Sequence, residues 1–356
     1  MLQKKRLGFI KWLSVRCVSM DKVKKSLFLA LFVSLVSMVV VIWLTMDIKD
    51  LEHISKINPL YLIIALTFHV GSWVIWSARI KTLTKAIGGH ISFSKTFKIV
   101  VSSLFAAAIT PSQAGGEPVR IFLLTEDLNA GDATAVILAD RFLDMAFLIL
   151  ISPLSLFLFA DVIFSGGLIV FLSFTVALFT FAIFLTVMVI YRPEVIKRGV
   201  KKARPLISKF KNEGVADQFI NRVDGGIDSF VLSMQNLAKR RLELIFASIC
   251  TVVYWSMEFF IASLILIGLS YPPEILHTYA AQILLTVIVL VPITPGSSGI
   301  SELSFAALFS TFVKGAPMGV FVVLWRLITY HFNLIAGGVA ITRILGDFKL
   351  IGQELK

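Results

Sequence analysis

Apolar runs of about twenty residues recur along this chain, and no other feature limits its fold so severely. A run of that length crosses a bilayer core of roughly 30 Å as a helix. The runs cover 27–46, 59–78, 133–160, 162–191, 242–269 and 316–341. With 57% hydrophobic residues the chain exceeds the 45–50% of ordinary soluble domains. The expected fold is an all-α polytopic membrane protein with about six full spans. The two cysteines, Cys17 and Cys250, are too few and too scattered for a disulfide framework or a metal site, so they read as free thiols.

One element occurs twice inside this apolar background. Ile109-Thr110-Pro111 leads through Gly115-Gly116 to Glu117, and Ile293-Thr294-Pro295 leads through Gly296 and Gly299 to Glu302. Thr110, Pro111 and Gly115 recur in register as Thr294, Pro295 and Gly299, and Glu117 recurs as Glu302 after a single insertion. The match continues downstream, because Arg326 follows Glu302 at the same spacing as Arg141 follows Glu117. A helical apolar stretch of about 15 residues precedes each copy and reaches only ~22 Å, short of a crossing. Pro111, Pro292 and Pro295 stop these helices, the glycines allow tight turns, and Pro118 suits the first position of a new helix.

Charge placement fixes how these pieces thread the membrane. The segment 1–26 carries eight Lys/Arg against one acid, 79–98 carries five against none, and 192–241 carries twelve against five. Cytoplasmic loops concentrate Lys and Arg. With all three blocks on one side, 96–127 must enter and leave from the cytoplasm, and 278–311 must enter and leave from outside. Both are therefore expected as re-entrant helical hairpins, arriving from opposite faces in an inverted-topology repeat. The units are a basic segment at 1–26, a first membrane half at 27–191, a connector at 192–241, a second half at 242–345 and a tail at 346–356. The first segment reads as an interfacial basic helix, or else as a disordered basic tail. The connector, with Pro193, Pro205, Gly214 and Gly225-Gly226, reads as short cytoplasmic amphipathic helices. Both termini are expected in the cytoplasm of a cell-membrane protein.

Charges at bilayer depth are costly and mark function or structure. Glu117, Arg120, Asp140, Arg141, Asp144, Glu258, Glu302 and Arg326 all fall in membrane segments. Glu117 and Arg120 share a helix face, as do Arg141 and Asp144. The pairs Glu117–Arg141 and Glu302–Arg326 lock each hairpin to its following span, or else Arg120, Arg141 and Arg326 are available to a lipid phosphate while Glu117, Asp144 and Glu302 hold or release them. Free N–H groups at Glu117 and Ile300, where the second helix of each hairpin starts, would favour the same ligand. Glu258 and Asp140 are candidate coupling carboxylates, with structural hydrogen bonding as the alternative for Glu258. His69 and His331 read as packed neutral rings; Tyr254, Trp255, Trp325 and Tyr330 read as core or interface anchors.

Several classes are disfavoured. The net charge of +12 sits in loops beside apolar runs, so the anionic inner leaflet is the expected partner rather than nucleic acid. The chain has no phosphate-loop signature, no nucleophile elbow and no paired-histidine metal pattern. No cofactor, catalytic residue or metal ligand is expected, and a homo-oligomer is left open.

The residues resemble a known family. Arg79 followed by Gly88, Pro111-x-x-x-Gly115-Gly116-Glu117-x-x-Arg120, Ala139-Asp140-Arg141-x-x-Asp144 and Thr294-Pro295-x-x-x-Gly299-x-x-Glu302 are similar to the lysylphosphatidylglycerol synthase transmembrane region, a flippase-like domain. The resemblance covers roughly 25–345, without an aminoacyl-transferase domain. It implies lipid translocation rather than lipid synthesis. The expected function is a flippase moving an anionic phospholipid or lipid-linked intermediate. A proton- or ion-coupled carrier of a small anion is the alternative, and a membrane enzyme acting on lipid head groups a more distant one.

Overall fold

The computed structural model describes residues 57–110, 113–161, 168–202, 213–290, 294, 296–315 and 317–354, with residues 28, 32, 35, 36, 38–40, 42 and 43. The basic segment 1–26, most of the first span, Pro111 and Pro295 lie outside the described residues. Within the described residues the regular structure is helical. α1 (Pro59–Ala86) starts where Asn58 accepts a hydrogen bond from the Leu60 N–H at 3.0 Å and Pro59 takes the first helical position. α2 (Phe93–Ala108) and α3 (Gly116–Leu124) flank the first repeated element. α4 (Ala130–Leu158) and α5 (Leu168–Tyr191) follow, then α6 (Pro193–Lys202) and α7 (Glu213–Lys239) in the connector. The second half repeats the order with α8 (Arg241–Gly268), α9 (Ile275–Val289), α10 (Ile300–Ser310), α11 (Met318–Arg326), a π-turn (Leu327–His331) and α12 (Phe332–Glu354).

Among the described residues, three stretches are long and apolar enough to cross a membrane: Pro59–Ala86, Arg241–Gly268 and Met318–Arg343. α9 and α10 are apolar but shorter. α4 is about as long as α1 but carries Asp140, Arg141 and Asp144. Leu60, Ile63, Ile245, Ile249 and Ile335 are exposed on the outer faces of α1, α8 and α12. In water such a surface would be an aggregation hazard; against lipid it is solvated.

α1 and α8 pack along their whole length, in opposite directions. Gly268 O accepts from Asn58 N–H at 2.9 Å, Phe68 meets Phe260, Trp76 meets Tyr254, and Arg79 reaches Thr251. Numbers climb on α1 as they fall on α8. Two apolar cores form at opposite ends of this pair. One gathers Trp73–Ala86 side chains of α1 with α2, α3 and the start of α4. The other gathers Ile261–Leu269 side chains of α8 with α9, α10 and α11. α2 lies along α12, and correspondingly α9 lies along α4.

Two local expectations are corrected. The basic block does not begin as a loop at Arg79: α1 continues to Ala86, and Arg79 is fully buried while Lys81 and Lys85 are exposed. The burial is driven by carboxylates far along the chain, as shown below. Nor do Gly225 and Gly226 break the connector, because α7 runs through them. The Gly226 carbonyl instead lies against α4, where a Cβ on Gly131 would collide with it.

Candidate functional site

The two repeated elements meet. Gly296 N–H of the second donates to Thr110 O of the first at 2.9 Å. Around this contact the broken backbone is satisfied by protein, as buried N–H and C=O groups require. Thr110 Oγ1 donates to Ala106 O at 2.8 Å and accepts from Gly115 N–H at 2.8 Å. Tyr330 Oη donates to Ala108 O at 3.0 Å. Gln113 and Ser297, at matching places in the two copies, both take left-handed backbone angles, with φ of 58° and 55°. Gly296 also has φ +57°, and a Cβ there would fall 2.6 Å from Ala108 O. Only glycine fits that approach.

Beside the first element lies a six-residue charge network. Arg79 Nε is 2.6 Å from Asp140 Oδ1, and its Nη1 is 2.6 Å from Asp144 Oδ1. Arg79 Nη1 also donates to Thr251 Oγ1 at 2.9 Å. Asp140 Oδ2 accepts from Trp76 Nε1 at 3.1 Å and pairs with Arg120 Nη1 at 3.3 Å. Arg120 lies over the Trp76 ring at 4.4 Å and pairs with Glu117 at 3.3 Å. Arg141 pairs with Glu117 and, at 3.4 Å, with Asp144, which also accepts from Trp255 Nε1 at 3.0 Å. Three guanidinium groups face three carboxylates, so the formal charge balances. Arg79, Arg120 and Asp140 are closed off. Arg141 and Glu117 are not: their side chains are 32% and 29% accessible, so they form the open edge of the network. Arg120 Nε and Arg141 Nε are buried donors with no acceptor among the described residues.

The second element keeps only part of this pattern. Arg326 Nε is 2.8 Å from Glu302 Oε1, and Nη2 donates to Ser298 Oγ at 2.9 Å. The guanidinium also lies over the Tyr330 ring at 4.1 Å. Glu302 Oε2 accepts from Gly299 N–H at 2.7 Å and Ser301 Oγ at 2.8 Å. The start of α10 is thus capped by its own carboxylate rather than left open for a ligand. Glu302 and Arg326 are both buried. In the register that aligns Glu117 with Glu302, the places of Arg120 and Asp140 are held by Phe305 and Trp325, stacked at 4.5 Å. An ion pair in one half is an aromatic pair in the other.

A third cluster joins α1, α8 and α12. His69 Nδ1 is 2.9 Å from Glu258 Oε1, and His69 Nε2 is 2.8 Å from Asn333 Oδ1. Ser72 Oγ also contacts Glu258. Trp73 meets the imidazole edge-on at 5.1 Å.

The structure therefore brings Glu117, Arg120, Asp140, Arg141 and Asp144 together, sets Glu302 with Arg326 separately, and places Glu258 in a third group. Arg79, Trp76 and Ser298 belong to these groups without a sequence signal that separates them from a loop boundary or an apolar face. Arg79 stands within the motif that carries the family resemblance, which is the one hint of its role.

The chain is similar to known membrane proteins. The family description "Lysylphosphatidylglycerol synthase TM region" matches residues 27–337. A UPF0104 membrane protein of Archaeoglobus fulgidus is 33% identical over 308 residues, 85% of this chain and 92% of its own length. UPF0104 membrane proteins of Methanocaldococcus jannaschii and Pyrococcus horikoshii are 25% and 23% identical, each over 90% of this chain and 95% and 97% of their own lengths.

Proposed function

Because the chain belongs to the lysylphosphatidylglycerol synthase TM region family, we propose that this membrane protein moves an anionic phospholipid or lipid-linked phosphate between the leaflets of the cell membrane. The observation that carries the reading is the open edge formed by Glu117 and Arg141. A phosphate competes there with Glu117 for the accessible guanidinium of Arg141. Arg79, Asp140 and Asp144 hold Arg120 and Arg141 in place, so the site is organised before the ligand arrives.

The antiparallel α1–α8 pair, the cores at its opposite ends and the meeting tips support an inverted repeat, with the hairpins entering from opposite leaflets. In that arrangement the two halves exchange shapes around a site near the midplane, and the head group is exposed to one side at a time. The basic segments support a reading with both termini in the cytoplasm. In this reading the chain is a transporter and not an enzyme, and the anionic inner leaflet is its partner.

The test is reconstitution into vesicles holding a fluorescent phosphatidylglycerol that an external reagent can quench. The intact protein accelerates the loss of inner-leaflet signal, and Arg141→Gln slows it by about tenfold or more, equivalent to ~1.4 kcal/mol of lost interaction. No acceleration by folded protein, for this lipid or for a polyprenyl phosphate, overturns the reading. Uptake of inorganic phosphate by the same vesicles, with the lipid unmoved, establishes the small-anion carrier instead.

A further inference from the structure

The geometry points to His69, Glu258, Ser72 and Asn333 as a proton-binding site that is loaded and emptied as the halves move; this rests on the transport reading above. The argument is a count of hydrogens. Asn333 Nδ2 donates to Thr329 O at 2.6 Å, which turns Oδ1 toward His69. An amide oxygen only accepts, so His69 Nε2 carries a hydrogen. A neutral imidazole then has a bare Nδ1, facing Glu258 Oε1 at 2.9 Å. An ionised carboxylate against that lone pair repels it. One further proton therefore lies between Nδ1 and Oε1, held as imidazolium with carboxylate or as imidazole with carboxylic acid. Both forms of the pair are neutral. Removing that proton leaves one negative charge on a pair that is 3% and 17% accessible, which is costly unless the structure rearranges.

The surroundings isolate this proton and tie it to motion. Trp73 and Phe332 wall the ring, and the His69 side chain is 3% accessible against 17% for Glu258, so exchange with water runs through the carboxylate. Ser72, from the turn after His69 on α1, has one hydroxyl hydrogen to share between His69 O at 2.7 Å and the same carboxylate oxygen. Among the described residues the charged group facing the ring is Glu258 from α8; α12 offers the amide of Asn333 and the ring of Phe332. His331 of the π-turn faces the Arg326 carbonyl, at 3.2 Å. Tyr254, one turn before Glu258, lies beneath Arg79 of the charge network at 5.6 Å. His69 and Glu258 come from corresponding long helices of opposite halves, so separating the halves separates the proton's two holders. The step is proton release from Nδ1···Oε1 to water, followed by rebinding after the halves return.

Two measurements test this. Nitrogen-15 NMR of histidine-labelled protein in lipid nanodiscs, with His69→Gln as the assignment control, follows the ring across about pH 4 to 10. The expected result is a titration of His69 whose midpoint shifts in Glu258→Gln. A ring fixed in one state across that range overturns the site, whether or not any lipid moves. In proteoliposomes, an imposed pH difference changes the lipid rate of the intact protein by about fivefold or more, of order 1 kcal/mol, and leaves Glu258→Gln unaffected. Retention of the full pH response in folded Glu258→Gln also overturns it. A titrating His69 in a protein that moves no lipid separates failure of the transport reading from failure of the proton site. If Glu258→Gln does not fold, the titration of the unaltered protein decides alone.

Discussion

Arg326 and Arg141 hold corresponding places in the two halves, yet their removal has different consequences. Arg326 and Glu302 are both buried, so Arg326→Ala leaves a carboxylate at depth without its guanidinium. Breaking a buried pair in this way costs about 3–5 kcal/mol. Thermal unfolding in detergent should show a large loss, with recovery in the double variant Glu302→Gln, Arg326→Met. Arg141 sits at the open edge, where Glu117 is accessible to solvent and keeps Arg120 as a partner at 3.3 Å. Arg141→Ala should cost about 1 kcal/mol or less while slowing transport strongly. Equal destabilisation by the two substitutions would contradict this division of roles. The Glu117–Arg141 pair is legible in the sequence, because its spacing repeats in Glu302–Arg326. Arg79 is not, since its partners Asp140 and Asp144 lie on a distant helix and nothing local separates a buried arginine from the first residue of a basic loop. The pairing of His69 with Glu258 is hidden for the same reason.

At the scale of elements, the hairpin turns depend on backbone shape more than on side chains. Gly296→Ala places a methyl group against Ala108 O and Tyr330 at a positive φ. The left-handed conformation alone costs an alanine about 1–2 kcal/mol, and the collision displaces the Gly296–Thr110 contact. The expected outcome is a lowered melting temperature together with lost transport. Gly225→Ala is the informative control: it meets nothing within 4 Å and sits inside α7. It should stabilise by up to ~1 kcal/mol through helix propensity and leave transport unchanged. A neutral Gly296→Ala would remove the tips from the mechanism. The helix interruptions are readable because proline and glycine break helices by local sterics. The length of α7 is not, because a glycine pair lowers helix propensity without deciding the outcome. A Cβ at Gly225 or Gly226 would meet nothing within 4 Å, and the glycine that the approach of α4 requires is Gly131.

At the scale of the molecule, the orientation of the halves can be read by labelling. In a variant lacking Cys17 and Cys250, single cysteines at Phe93, where the first hairpin starts, and at Leu276, where the second starts, should react with a membrane-impermeant maleimide from opposite sides. Both positions are exposed. Labelling from one shared side would rule out the inverted repeat. The charge network bears on energy levels as well as on binding. Two identical halves exchanging shapes would have two mirror-related states of equal energy, each half populated. Here Arg79, Arg120, Asp140 and Asp144 have no charged counterparts: Ser263, Phe305, Trp325 and Thr329 stand in their places. The degeneracy is lifted, and a gap of only ~1.4 kcal/mol gives a tenfold bias. In the transport reading proposed above, the replacement of one ion pair by a stacked Phe305 and Trp325 would make one of the two states the resting one.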